Sequence, residues 1–185
     1  MSGDRRPARN DLVESGCVSR RDSASRIISA PLDRTFDALV DRVALETWLP
    51  PDGMTGRFEH FDPTPGGSYR LILTYAAPAA ARPKSAADLD IVEARFVDIV
   101  TNDRVVQAVD FVSDDPVYGG TMTMTWVVRR TDGGTLVEFV ADDVPAGISA
   151  EDHSAGMTSS LQNLARYLEP STTTGCAASE REPLT

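Results

Sequence analysis

Few residues in this chain have the type and setting to do chemistry. It has only two histidines, His60 and His153, far apart in sequence. His153 stands near the start of the last amphipathic segment, one turn before Met157. An imidazole, with an ordinary pKa of about 6.5, could move a proton there; the plainer role is a hydrogen bond to a loop carbonyl or to water. Gln107 interrupts a strand face otherwise made of Val105, Val109 and Phe111. If that face is internal, its amide needs a partner, supplied by the protein or by a ligand. Tyr69 and Tyr75 carry phenols on an apolar stripe, where they could orient a carbonyl or hydroxyl, or simply pack at a rim. Asp142 and Asp143 are no carboxylate dyad, because neighbours on a strand point to opposite faces.

The motifs that mark common chemistries are missing. There is no HExxH, no CxxC, and no His, Cys and carboxylate set at metal-ligand spacing. Nor is there a G-x-S-x-G elbow or a glycine-rich phosphate loop. Pro65-Gly66-Gly67 reads as a strand turn. No cofactor is expected. Beside these polar groups stand Trp48, Leu71, Phe96, Met122, Met124, Trp126, Phe139 and Met157. Aromatic and methionine side chains suit an adaptable apolar pocket, and they suit an ordinary core equally well.

Charge narrows the partners. The 185 residues hold 28 acids against 18 bases, a net charge of −10. That disfavours nucleic-acid backbone and anionic membrane surfaces, and basic residues do not cluster with aromatics. Residues 1–24 carry four acids and five bases, residues 170–185 two and one, so 25–169 hold 22 acids against 12 bases. Both end segments lack an apolar period and read as disordered tails, leaving one domain over 25–169. The apolar stripes of that domain require its acids to lie outside. The first residues lack the apolar core of a secretory signal and no apolar run would span a bilayer, so a cytoplasmic location is expected. Cys17 and Cys176 fall in the tails and imply neither a disulfide nor a metal site.

Periodicity supplies the elements that must hold these side chains. Arg26–Ser29 reads as a short strand. Pro31 then opens a helix that buries Phe36, Leu39, Val40 and Val43, and Ala44–Leu49 adds a shorter one stopped by Pro50 and Pro51. From residue 54 the period is two. Phe58–Phe61 precedes the strand SYRLILTY, whose Tyr69, Leu71, Leu73 and Tyr75 share a face; residues 76–87 form a long loop, either a lid or plain disorder. Four further strands follow through short turns, and on the GTMTMTWVVRR strand Met122, Met124, Trp126 and Val128 face one way. A last helix begins at an N-cap, Ser149, and carries Met157, Leu161, Leu164 and Leu168 as its apolar stripe. The class is α+β.

The strings APLDRTFDALVD and TWLPP, FDPTPGGSYR, EARFVDIVTNDRVV, the DGGT hairpin and HSAGMTSSLQNLARYL occur in this order over residues 25–169. The chain so resembles the START-like, helix-grip superfamily (SRPBCC), in its branch of homologues of the activator of the heat-shock-protein-90 ATPase. It departs from the pattern at Met157, where the branch often has Trp, and at Ala94, where Gly is usual. The resemblance implies a curved antiparallel sheet wrapped around the last helix, with a cavity between them that binds a small apolar or aromatic molecule. Its expected lining is Trp48, Tyr69, Leu71, Tyr75, Phe96, Gln107, Met122, Met124, Trp126, Phe139, His153 and Met157. The superfamily also implies alternatives: a cyclase, aromatase or hydrolase using the same cavity, or a co-chaperone-like protein stimulating an ATPase. Some exposed sheets of this kind pair, so a homodimer is a further expectation. A fold this permissive does not determine function.

Overall fold

Strand β1, Arg21–Ile28, lies antiparallel to the last strand, with Arg21 opposite Asp142 and Ile28 opposite Thr135. The computed structural model describes residues 20–76, 85 and 88–169. Both cysteines and nearly all of the 76–87 loop lie outside them, as do residues 1–19 and 170–185. β1 starts five residues before the expected Arg26. Its first half is polar and carries no apolar period, but backbone pairing with β7 needs none, and an edge strand wets one side. The expected domain edge at 25 thus falls inside a strand.

Helix α1 (Leu32–Val40) follows β1, with Pro31 as its N-cap residue and not its first turn. Phe36, Ala38 and Leu39 are buried, but Val43 is 68% exposed, against expectation. The apolar stripe breaks because Asp41 leaves the helical region, at φ −92 and ψ 128, and caps a new helix, α2 (Arg42–Trp48), by accepting from the Ala44 N–H at 2.8 Å. A fresh helix axis resets the buried face, which becomes Ala44, Leu45 and Trp48.

The remaining strands form a meander: β2 (Met54–Phe61), β3 (Ser68–Tyr75), β4 (Leu89–Val100), β5 (Arg104–Phe111), β6 (Met122–Thr131) and β7 (Gly134–Asp142). All pairs are antiparallel, in the order β1-β7-β6-β5-β4-β3-β2, so β1 and β2 are the edges. Register shifts at Phe58/His60 and Phe96/Asp98 mark bulges that bend a sheet. The β2–β3 turn docks on the second bulge: Gly66 N–H bonds the Phe96 carbonyl at 2.8 Å and Phe96 N–H the Gly67 carbonyl at 2.9 Å. Gly66 has φ +86, and a Cβ on Gly67 would run into the Asp62 carbonyl oxygen, which explains the glycine pair.

A single 3-10 turn, Pro116–Tyr118, sits in the β5–β6 connection. The last helix, α3 (Ala150–Leu168), lies against the sheet; Ser149 caps it, its hydroxyl accepting from the Asp152 N–H at 3.0 Å. This is the expected α+β helix-grip fold. Its core runs along the concave face, from Trp48, Phe58 and Phe96 to Phe139, Leu161, Leu164 and Leu168. No helix among the described residues is long and apolar enough to cross a membrane.

Candidate functional site

Strand alternation decides what faces α3. On β3, Tyr69, Leu71, Leu73 and Tyr75 point to the concave side; on β6, Met122, Met124 and Trp126 do the same. Over these side chains α3 changes character. Its C-terminal half sends Leu161, Leu164 and Leu168 into the core. Earlier in the helix, between and beside His153 and Met157, stand Ala155, Gly156, Ser159 and Ser160, which are too short to reach the sheet. A cavity of about 800 Å³ remains between them.

Val92 of β4 and Val109 and Phe111 of β5 complete the sheet wall. The far wall is the 49–54 segment, held to α3 by small polar groups. Ser160 donates to the Leu49 carbonyl at 2.6 Å, Asn163 Nδ2 to the Pro50 carbonyl at 2.8 Å, and the Asp52 N–H bonds Ser159 Oγ at 2.8 Å. Tyr118, Gly147 and Ile148 close the end near the β5–β6 connection.

Of the twelve side chains expected at the site, Tyr69, Leu71, Tyr75, Met122, Met124, Trp126, His153 and Met157 line this cavity. Trp48, Phe96, Gln107 and Phe139 do not. Trp48 is buried beneath Trp126 and Phe139, with ring centroids 5.6 and 6.0 Å away, and its indole N–H donates to the Ala38 carbonyl at 2.9 Å. Phe96 packs in the other aromatic group, 5.5 Å from Tyr69 and 5.9 Å from Phe61. Both groups belong to the filled end of the interior, where α1 and α2 supply the bulk that α3 lacks elsewhere.

Three polar arrangements border the cavity. Tyr69 donates its hydroxyl proton to Gln107 Oε1 at 2.8 Å, and burial pushes the phenol pKa far up, so it stays protonated. Tyr75 donates to Asp90 Oδ2 at 3.1 Å; burial first, and then the Asp90 charge, push its pKa up as well. Asp90 is 1% exposed, on the concave face with Val92, Ala94 and Phe96, so it overturns the expectation that every acid lies outside. The third arrangement joins the first strand to the last helix: His153 Nδ1 lies 2.8 Å from Asp22 Oδ2, which the Arg20 guanidinium holds at 2.5 Å. Arg20 also donates to the Ile148 carbonyl. The Asp22 carboxyl is held below the usual carboxylate range, chiefly by the hydrogen bond from Arg20, with His153 adding to it against the opposing cost of burial.

Sequence reasoning missed Asp90, Tyr118 and the Asp22 partner of His153. Asp90 was available as the polar member of the alternating set Asp90, Val92, Ala94 and Phe96. Asp22 was not, since its strand has no apolar signature. His60, the other histidine, bonds Ser68 Oγ at 2.9 Å on an exposed part of β2. Among the described residues, no group of three or more His, Cys, Asp and Glu side chains could hold a metal ion.

A family model described as activator of Hsp90 ATPase homolog 1-like protein matches residues 29–169. A crystal structure of a protein from Chromobacterium violaceum superposes with a TM-score of 0.72 at 27% identity, covering 81% of this chain and 97% of that one. A solution structure from Staphylococcus epidermidis gives 0.63 at 22% identity, over 80% of this chain and 88% of that one. An AHSA1-like protein from Aeromonas hydrophila gives 0.59 at 17% identity, over 80% and 91%. The last two likenesses speak for the fold alone. No curated protein matches the sequence.

Proposed function

The chain belongs to the family of activator of Hsp90 ATPase homologue 1-like proteins, and from that premise we propose that it binds a small, largely apolar molecule between the sheet and α3. The observation that carries this reading is the cavity of about 800 Å³, walled by Met122, Met124, Met157, Trp126 and three tyrosines. Pockets for small ligands run from about 300 to 1,000 Å³ and combine an apolar lining with a few fixed polar groups. Well-packed interiors leave few voids larger than a water molecule. A space this size persists because α3 carries Ala155, Gly156, Ser159 and Ser160 where it faces the sheet. Methionine walls adapt to the outline of what they hold.

A thermal-shift screen over apolar aromatic compounds tests it. A ligand that binds only the folded chain raises the midpoint with its concentration. Flat midpoints throughout, for compounds up to the cavity's size, count against the reading.

One observation favours an enzyme as the second reading. His153 is on the cavity wall with Nδ1 against a carboxylate, an arrangement that fixes an imidazole's orientation for proton transfer. Turnover of a bound compound that disappears in His153→Gln, with binding retained, would promote it over simple binding.

A further inference from the structure

Gln107 is fully buried, on the concave face between Val105 and Val109. Its Oε1 accepts the Tyr69 hydroxyl proton, while its Nε2 has no hydrogen-bond partner. Among the described residues it is the one buried side-chain nitrogen or oxygen in that state. A buried donor left unmatched costs far more than a matched one contributes, so an orphan at this position needs an explanation.

Its surroundings point to one. Tyr69, which holds the amide, lines the cavity, as do Val109, two residues along β5, and Met124, directly opposite on β6. The orphan N–H group therefore lies one side chain behind the wall, and Met124, unbranched, is the movable part of that wall. The Tyr69 bond occupies Oε1 and leaves the amide turned to give a proton. The carboxylates of the lining are Asp52 and Asp152, and its imidazole, His153, is engaged with Asp22. Two carboxylates at the cavity disfavour an anion, which leaves a neutral acceptor.

We propose that the ligand carries a neutral carbonyl or hydroxyl oxygen at its buried end, which accepts a hydrogen bond from Gln107 Nε2. The Tyr69–Gln107 pair then selects such molecules over hydrocarbons of the same shape. A site built to hydrogen-bond one group rejects the analogue lacking it, because the protein's own polar atom is left unpaired. This rests on reading the cavity as a ligand site.

The test uses a matched pair of probes, 2-acetylnaphthalene and 2-ethylnaphthalene, measured by equilibrium dialysis against the full chain. The ketone is expected to bind about tenfold tighter, the worth of one good hydrogen bond, with its carbonyl stretch lowered in the infrared when bound. Gln107→Met, made together with Tyr69→Phe so that no hydroxyl freed from Oε1 can take its place, keeps the volume and removes the donor. In it the preference should vanish or reverse, with 2-ethylnaphthalene binding at least as tightly as to the parent; Gln107→Leu serves if the first variant does not fold. Equal binding of both probes, or a ketone preference that survives the loss of the amide, overturns the inference and leaves the binding reading standing. Binding of neither probe removes both.

Discussion

The two ends of the concave face are built from the same strands and the same alternation, yet one is filled and the other hollow. At the filled end, Trp48, Trp126 and Phe139 form one aromatic group, and Phe58, Phe61, Tyr69 and Phe96 another, with α1 and α2 closing over them. At the hollow end, α3 brings Ala155, Gly156, Ser159 and Ser160 between and beside His153 and Met157, and the sheet's methionines and tyrosines look into space. Trp126 and Tyr69 belong to both: each lines the cavity, while Trp126 packs on Trp48 and Tyr69 on Phe58 and Phe96. The contrast teaches that a strand pattern sets which side chains point inward, whereas the element opposite decides whether they meet a neighbour or a void.

Stability and binding should therefore separate between the ends. Phe96→Ala, at the filled end, is expected to cost about 3–5 kcal/mol in denaturant unfolding, as large aromatic truncations do in packed cores. Met124→Ala, at the hollow end, should cost below about 2 kcal/mol, because the space around it already exists. Similar losses at both would erase the distinction.

Filling the void should do the converse. A Cβ on Gly156 meets nothing nearer than Pro51 Cγ at 3.9 Å, so Gly156→Phe fits without collision at the backbone. Helix propensity favours it, and stability should stay within about 1 kcal/mol of the parent. Ligand affinity, measured by the same dialysis as above, should fall at least tenfold.

The link between β1 and α3 gives a smaller effect. Asp22 has its pKa lowered in the folded state, so its bonds to Arg20 and His153 contribute stability above the ordinary carboxylate range. That contribution is lost as pH falls through the folded value. Asp22→Asn should lose about 1 kcal/mol at neutral pH, discounted for partial solvent exposure. The difference from the parent should shrink toward zero on acidification. A difference that grows in acid would contradict the assignment. Smallest of all, Val43→Ser should move unfolding by less than about 0.5 kcal/mol, since the side chain is exposed.

Most of the fold could be read from periodicity. The period of two located β3 and β6, and the stripe of Met157, Leu161, Leu164 and Leu168 located α3. Val43 escaped because the stripe continues in sequence across Asp41 while the helix axis does not. β1 began early because edge-strand pairing is a backbone matter and leaves Arg21–Ser25 free to be polar. At the site, alternation put Tyr69 and Tyr75 on one face of β3 and Met122 and Met124 on one face of β6, whereas Phe96 and Phe139 were candidates by residue type alone. Core and cavity demand the same inward residues from a strand. The discriminating signal was on the helix: Ala155, Gly156, Ser159 and Ser160 are small on the face that should be large. Asp22 with His153 brings together positions 131 residues apart, which no local pattern encodes.

The central claim is that the hollow end exists to be occupied. Native mass spectrometry on the parent and Gly156→Phe proteins, purified side by side from their own host, addresses it directly. Excess mass from one small molecule is expected on the parent and none on the variant. A parent protein at its bare chain mass, or the same adduct on both proteins, would contradict it.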